Sequence, residues 1–238
     1  MAGLREAAAD RPRFAIVVPT WREADTIAAC LAPLQRWRSR AEIVVADGGS
    51  DDATVALARP LADRVIVTAR GRARQMNAGA AAARADILIF LHADTRLPPD
   101  ALERIEAALA AGHHWGRFDV RLAPPHPLLH LVAFFMNLRS RLSGIATGDQ
   151  AIFVRRRLFS AVGGYADLAL MEDIDLSRRL KRVGPPACLR ARVTTSARRW
   201  HRFGIGRTIL LMWWLRLRFF LGDDPARLAR CYRQGRFR

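Results

Sequence analysis

The chain has a single lysine, Lys181, and little of several other things that would decide a function outright. Its three cysteines, Cys30, Cys188 and Cys231, are odd in number, far apart and in no C-x-x-C or Cys/His spacing. That excludes a disulfide framework and a zinc site and leaves thiols in a reducing, cytoplasmic compartment. Residues 1–13 carry charges of both signs and no apolar stretch before Phe14, so they read as a loose leader and not a secretory signal. The longest unbroken apolar stretch towards the other end, Ile209 to Leu215, is far below the ~20 residues of a spanning helix. No G-x-x-x-x-G-K-[ST] occurs, and no G-x-G-x-x-G follows the first apolar run, which sets aside a P-loop and a nicotinamide site. Internal repeats and low-complexity tracts are also missing. What is there is a 238-residue chain, 51% hydrophobic, long enough for one sizeable core. Its formal charge of +17 and pI of 11.6 come almost wholly from arginine. Such a field attracts polyanions, whether nucleic acid, anionic headgroups or a phosphate-bearing substrate.

The first half alternates two periodicities. Phe14 to Pro19, Glu42 to Ala46, Arg64 to Thr68 and Ile87 to Leu91 are short, β-branched apolar runs that predict strands buried on both faces. Alanine-rich segments of helical spacing separate or follow them: Ala24 to Trp37, Asp52 to Ala58, Arg72 to Arg84 and Pro99 to Ala111. Asp51 or Asp52, and Pro98-Pro99-Asp100, stand where a first helical turn accepts proline or a carboxylate. Strand and helix in alternation with short joints predict right-handed crossovers and a parallel sheet. Beyond it, Trp115 to Leu122 and Ala151 to Val154 read as strands, and His130 to Leu142 as a helix. Asp173 to Val183 reads as a helix closed by Gly184-Pro185.

In an open parallel sheet, ligands bind beyond the carboxyl ends of the strands. Polar residues fall just there, in Pro19-Thr20-Trp21-Arg22-Glu23, in Asp47-Gly48-Gly49-Ser50, in Arg70-Gly71-Arg72 and in His92-Ala93-Asp94. Asp47 can accept from a base N–H or a ribose hydroxyl, although alone it is equally a turn with a capping aspartate. Gly71 to Gly79, with Arg74 and Asn77, opens a helix where free N–H groups favour phosphate. Asp94 is a hard oxygen ligand for Mg2+ or Mn2+, with diphosphate oxygens needed to complete the site. Glu172, Asp173 and Asp175 begin a helix, as favourable capping charge or as a general base. Arg198-Arg199-Trp200-His201-Arg202 suits a diphosphate, a metal site completed by His201, or lipid headgroups.

Taken together, IVVPTWREADTI, VVADGGSDDAT, GRARQMNAGA, LIFLHADT, GDQAIF and MEDIDLSRRLKRVG, spread from Phe14 to Gly184, resemble the family 2 glycosyltransferases of GT-A fold. More narrowly, the chain resembles the small radical-SAM/selenodomain-associated transferases. The resemblance implies an α/β, Rossmann-like domain over 14–203, a mostly parallel central sheet with flanking helices, and inverting transfer from a nucleotide diphosphate sugar. By it, Thr20, Glu23 and Asp47 would hold a nucleoside, usually uridine, with Arg70, Arg74 and Asn77 along its edge. Asp94 looks like the metal-binding aspartate of a D-x-D element in which His92 replaces the first aspartate. Gly148, Asp149 and Gln150, with Trp200, would line the sugar and acceptor pocket, and Asp173, with Glu172 second, would supply the base.

Residues 204–238 read as an amphipathic helical appendage. Gly204 to Leu221 mixes Trp, Phe and Leu with Arg207, Arg216 and Arg218, as at a membrane interface, or else packs on the core or forms a dimer seam. Pro127 to Met136 would extend the same apolar surface. These features predict peripheral contact with an anionic membrane, at the inner face, and a lipid-linked acceptor. Two rival classes are a nucleotidyltransferase, which normally has a glycine-rich basic loop after its first strand, and a nucleic-acid binder, which gives the carboxylates no role.

Overall fold

The computed structural model describes residues 12–238; the expected leader lies almost entirely outside the described residues. The four β-branched runs form β1 (Phe14–Thr20), β2 (Ala41–Asp47), β3 (Arg64–Val67) and β4 (Ile87–Phe90), all mutually parallel. Helices α1 (Ala24–Leu31), α2 (Thr54–Ala58) and α3 (Arg72–Ala82) connect them, and α4 (Ala101–Ala110) follows. The expected helix over 24–37 is split, with residues 32–37 winding as a 3-10 turn. Pro33 has no N–H to bond Ala29, so the α ladder is interrupted at that point.

Side chains alternate across β1. Phe14, Ile16 and Val18 pack with Ile27 and Leu31 on one face, whereas Ala15 and Val17 meet Ala73, Met76 and Ala80 of α3 on the other. α3 comes very close to the sheet, because a Cβ on Gly79 would collide with Val17.

The rest of the sheet is β5 (Thr95–Arg96), β6 (Trp115–Ala123), β7 (Phe153–Arg155) and β8 (Ala187–Ser196), giving the order β3-β2-β1-β4-β7-β6-β8-β5. β7 is antiparallel to both β4 and β6, β8 runs parallel to β6, and β5 closes the edge antiparallel to β8. The sheet is therefore mostly parallel, as the sequence implies, with its antiparallel pairings beyond β4. β8 does not stand out in the sequence because Arg190 and Arg192 break its apolar pattern; only short β5 covers its outer edge.

Helix α5 (Pro127–Ser143) starts earlier than its apolar run, with proline in its first turn and the His126 ring accepting the Leu128 N–H. It is followed by α6 (Arg156–Ala161), α7 (Glu172–Lys181), α8 (Arg198–Phe203), α9 (Ile205–Phe220) and α10 (Pro225–Gln234). In α10, Asp224 accepts the N–H groups of Ala226 and Arg227, Pro225 fills the first position, and Gly235 at φ +64° ends the helix. One stripe of α9, with Leu211 and Leu215, packs with Leu228 of α10 against Leu170, Met171 and Ile174. The C-terminal helices thus hold the entrance to α7. The opposite stripe, including Leu210, Trp213, Leu217 and Phe220, is exposed. No described helix is long and apolar enough to cross a membrane.

Candidate active site

A cleft of about 870 Å³ opens between the carboxyl ends of β1 and β4, the start of α7, and the walls formed by α5 and α9. Three non-glycine residues with positive φ flank the segments around it: Arg22 at 53°, Ala151 at 47° and Met171 at 67°. Backbone strain of this kind persists where the surroundings enforce it, and it gathers at functional sites.

At one end, Pro19, Glu23, Ala93 and Asp94 line the wall. Arg198 spans the two acids, with Nη2 3.1 Å from Glu23 Oε2 and 3.4 Å from Asp94 Oδ2. Burial opposes the Arg198 charge, but Glu23 and then Asp94 outweigh it and raise its pKa. Behind them, burial and the Asp94 charge push the Cys30 thiol up to about 12, so it stays protonated and inert. All three cysteines are free.

At the middle, α7 presents its acidic start. Asp173 is fixed by two backbone donors: Gly148 N–H reaches Oδ2 at 2.8 Å and Ile174 N–H reaches Oδ1 at 2.7 Å. Glu172 is only 4% exposed. Burial, then the Asp173 charge, raises its pKa, with Arg72 at 3.7 Å opposing. The 148–150 turn carries Asp149 to within 3.3 Å of His92 Nδ1. Burial works against the Asp149 charge, yet His92, Arg72 and Arg216 together hold it below the ordinary carboxylate range. Gly148 is required there, since a Cβ would run into the His92 ring. Gln150 is fully buried and forms a capping box with Thr147, so it braces the turn from beneath.

A second group of the expected residues lies at neighbouring strand ends and does not line the cleft. Asp47 has no exposed surface. Its carboxylate accepts from Thr20 Oγ1 at 3.0 Å, Ser50 Oγ at 2.6 Å, and the N–H groups of Gly49 and Ser50 at 2.9 and 2.7 Å. Its four lone-pair positions are thereby engaged in shaping the loop. Gly48 lies against Gln75, which donates to the carbonyls of Thr20 and Ala46. Arg70 stacks over Trp21 at 3.3 Å from the ring centroid. Arg74 grips Asp167 through Nε and Nη2, and the Asn77 amide exchanges two bonds with the Tyr165 backbone. On α8, Trp200 faces the cleft, whereas His201, about 100° further round the helix, is exposed and outside it.

The cleft also contains Arg139 and Tyr232, which nothing in the sequence marks, and Arg72, Arg199 and Arg216, which the sequence shows only within separate basic motifs. Arginines occur throughout the chain, and nothing in their spacing reveals convergence of positions as distant as 72 and 216.

For a divalent ion, the described residues offer no group of three or more His, Cys, Asp or Glu side chains. Asp94, a lone carboxylate on the cleft wall, would fit such an ion as a single oxygen anchor, with the other ligands having to come from outside these side chains.

A mostly parallel α/β sheet of this order with flanking helices is the fold of GT-A glycosyltransferases. The mannosyltransferase PcManGT from Pyrobaculum calidifontis, solved with GDP-Man and Mn2+, superposes with a TM-score of 0.65 over 93% of this chain and 69% of its own, at 18% identity. S. aureus TarS 1-349 in complex with UDP-GlcNAc matches with a TM-score of 0.63 over 78% of this chain and 59% of its own, at 17% identity. Residues 15–160 match the model of glycosyl transferase family 2, and the chain belongs to that family. It is 32% identical over 173 residues to the PGL/p-HBAD biosynthesis glycosyltransferases of Mycobacterium bovis and Mycobacterium tuberculosis. That match spans 65% of this chain and 63% of their length.

Proposed function

We propose that the chain is an inverting glycosyltransferase that moves a sugar from a nucleotide diphosphate donor, a UDP-sugar, to an acceptor hydroxyl. The observation that carries this reading, beside family membership, is one cleft lined both by Asp94, after β4, and by Asp173, at the start of α7. Asp173, oriented by two backbone N–H groups, takes the acceptor proton. The acceptor oxygen forms its bond to the anomeric carbon from the face opposite the nucleotide, and the bond to the diphosphate breaks. Arg198 and Arg199 offer cationic donors to the departing diphosphate. A Mn2+ or Mg2+ ion anchored at Asp94 would supply further neutralisation of that charge. Arg70 stacked on Trp21, near the loop braced by Asp47, offers a flat face for the nucleoside. The narrower kinship with the radical-SAM/selenodomain-associated transferases rests on motif order alone.

The acceptor reading follows from the walls. Exposed Leu131 and Phe135 on α5 and Trp213 on α9 line the cleft, and Phe134 and Phe220 are exposed on the same two helices, in a chain of net charge +17, which suits an anionic bilayer at the inner membrane face and a lipid-linked acceptor. Sedimentation with anionic liposomes at low salt should carry the protein into the pellet, and a protein left in the supernatant removes this part of the reading.

The donor is tested by calorimetric titration with UDP and then GDP, with and without Mn2+. UDP should bind more tightly with Mn2+, and Asp94→Ala should remove ~1.4 kcal/mol, about tenfold, of that affinity. No binding of either nucleotide sinks the transferase reading.

A further inference from the structure

Arg139 on α5 and Arg216 on α9 both line the cleft, and neither has a carboxylate within salt-bridge distance among the described residues. Arg139 Nε and Nη2 and Arg216 Nε are buried without any hydrogen-bond partner. The other cleft arginines are engaged: Arg72 faces Glu172, Arg198 holds Glu23 and Asp94, and Arg199, whose Nε is also without a partner, donates from Nη2 to the Tyr232 carbonyl and stacks on the Tyr232 ring. Two guanidiniums with donors unused, brought together from separate helices, form half of an ion pair.

The surroundings indicate what the other half carries. Phe135 on α5 and Met212 and Trp213 on α9 line the cleft one helical turn from these arginines. A second, shallow hollow of about 470 Å³ runs on along α5, lined by Phe135, Leu138, Arg139, Leu142 and Ser143. It shares Phe135 and Arg139 with the cleft, so an apolar path leads outward from the guanidiniums.

We infer that Arg139 and Arg216 form an acceptor subsite for the anionic group of an amphiphile, whose apolar chain leaves along α5 between Phe135 and Leu142. The inference rests on the glycosyltransferase reading and names its acceptor class: a molecule with a hydroxyl, a phosphate-type anion beside it and an apolar tail. The anion sits between the arginines and places the hydroxyl towards Asp173. Electrostatics agree. Burial, reinforced by the Arg216 charge, pushes the Arg139 guanidinium down to about 10, with Asp173 only partly offsetting it. Burial lowers Arg216 as well, against Asp173 and Asp149. An incoming anion relieves both.

The test titrates octyl phosphate, octanol and inorganic phosphate into the full chain, followed by tryptophan fluorescence, with UDP titrated in parallel by calorimetry. Wild type should bind octyl phosphate at least about tenfold more tightly than octanol or inorganic phosphate, and its unfolding midpoint should rise with the ligand. Arg139→Gln/Arg216→Gln should lose at least about tenfold of the octyl phosphate affinity while holding UDP within about twofold. Without ligand the double variant should be as stable as wild type, because it removes unpaired charge. If it does not fold, Arg139→Lys/Arg216→Lys, which keeps charge but loses the fork, should weaken octyl phosphate several-fold. Unchanged octyl phosphate affinity in the variants overturns the subsite. Equal affinity for inorganic phosphate or octanol overturns the amphiphile, and a parallel loss of UDP assigns the arginines to the donor. Failure of wild type to bind UDP strikes the transferase reading instead, and the octyl phosphate series reads independently of it.

Discussion

Helix α5 separates two groups of arginines that the protein treats in opposite ways. On its sheet side, Arg117 of β6 is completely buried and paired with Asp119, which is also gripped through both oxygens by Arg141 at 2.7 Å. Arg117 further donates to the Asn137 carbonyl, and the Asn137 amide closes on the backbone of Val120. On its cleft side, Arg139 and Arg216 keep unused donors. A buried charge whose counter-ion is supplied internally ties β6 to α5; one left without a counter-ion stores affinity for something outside the chain. Charge removed from the paired side should therefore cost stability, and charge removed from the cleft should cost chemistry or binding.

The sharpest form of that contrast is Asp173→Asn. The substitution keeps the size of the side chain and at least one acceptor for Gly148 or Ile174, but it cannot take a proton. Transfer should fall by about 10³-fold. The unfolding midpoint and UDP affinity should shift little. A variant that still turns over at the wild-type rate would remove Asp173 as base.

Next in size is Asp119→Asn, which leaves Arg117 buried with a neutral partner. Unfolding in urea should show a loss of about 3 kcal/mol, the cost of breaking a buried pair from one side. Nucleotide affinity should be unchanged in the fraction that stays folded. If Asp119→Asn instead impaired UDP or acceptor binding without destabilising the fold, the division drawn across α5 would fail.

The same contrast explains what could be read from the chain. The parallel half was legible because β1 to β4 are β-branched runs buried on both faces, and each ends in polar residues that open loops at one sheet edge. Glu23 and Asp94 lay in loops of this kind; Asp173 stood out in a run of carboxylates that opens a helix, and Asp149 entered only through the family resemblance. β8 was not legible, because arginines interrupt its apolar alternation, and within the helical tail expected over 204–238 the break that makes α10 a separate helix from α9 was not marked. Neither was the role division among polar motif residues. Asp47 looks free for a ligand in sequence, yet Thr20, Gly49 and Ser50, all in motifs beside it, saturate its carboxylate. Asn77 is taken by Tyr165 and Arg74 by Asp167, partners some ninety positions away that no local spacing announces. Arg139 and Arg216 escaped for the converse reason: what distinguishes them is the lack of a partner, and that exists only in three dimensions.

The smallest expected effect concerns Glu172, which stands between the two regimes. It is buried like Arg117, but its nearest cation, Arg72, is 3.7 Å away and its neighbour Asp173 carries the same sign. Burial and that repulsion raise its pKa in the folded chain. The folded state therefore binds a proton more readily than the unfolded state. The stability that this difference contributes is fully present below the ordinary glutamate pKa and is lost as pH rises through the folded value. Glu172→Gln removes the charge and keeps the shape, so stability measured by urea unfolding should become flatter with pH across that window. The gain over wild type should be greatest on its alkaline side. Arg72 would then lack its closest carboxylate, and burial would act on it with Tyr232, Asp149 and Asp173 left to sustain its charge. A wild-type curve without this slope, or a variant that loses stability equally at every pH, would place Glu172 with the internally compensated charges on the other side of α5.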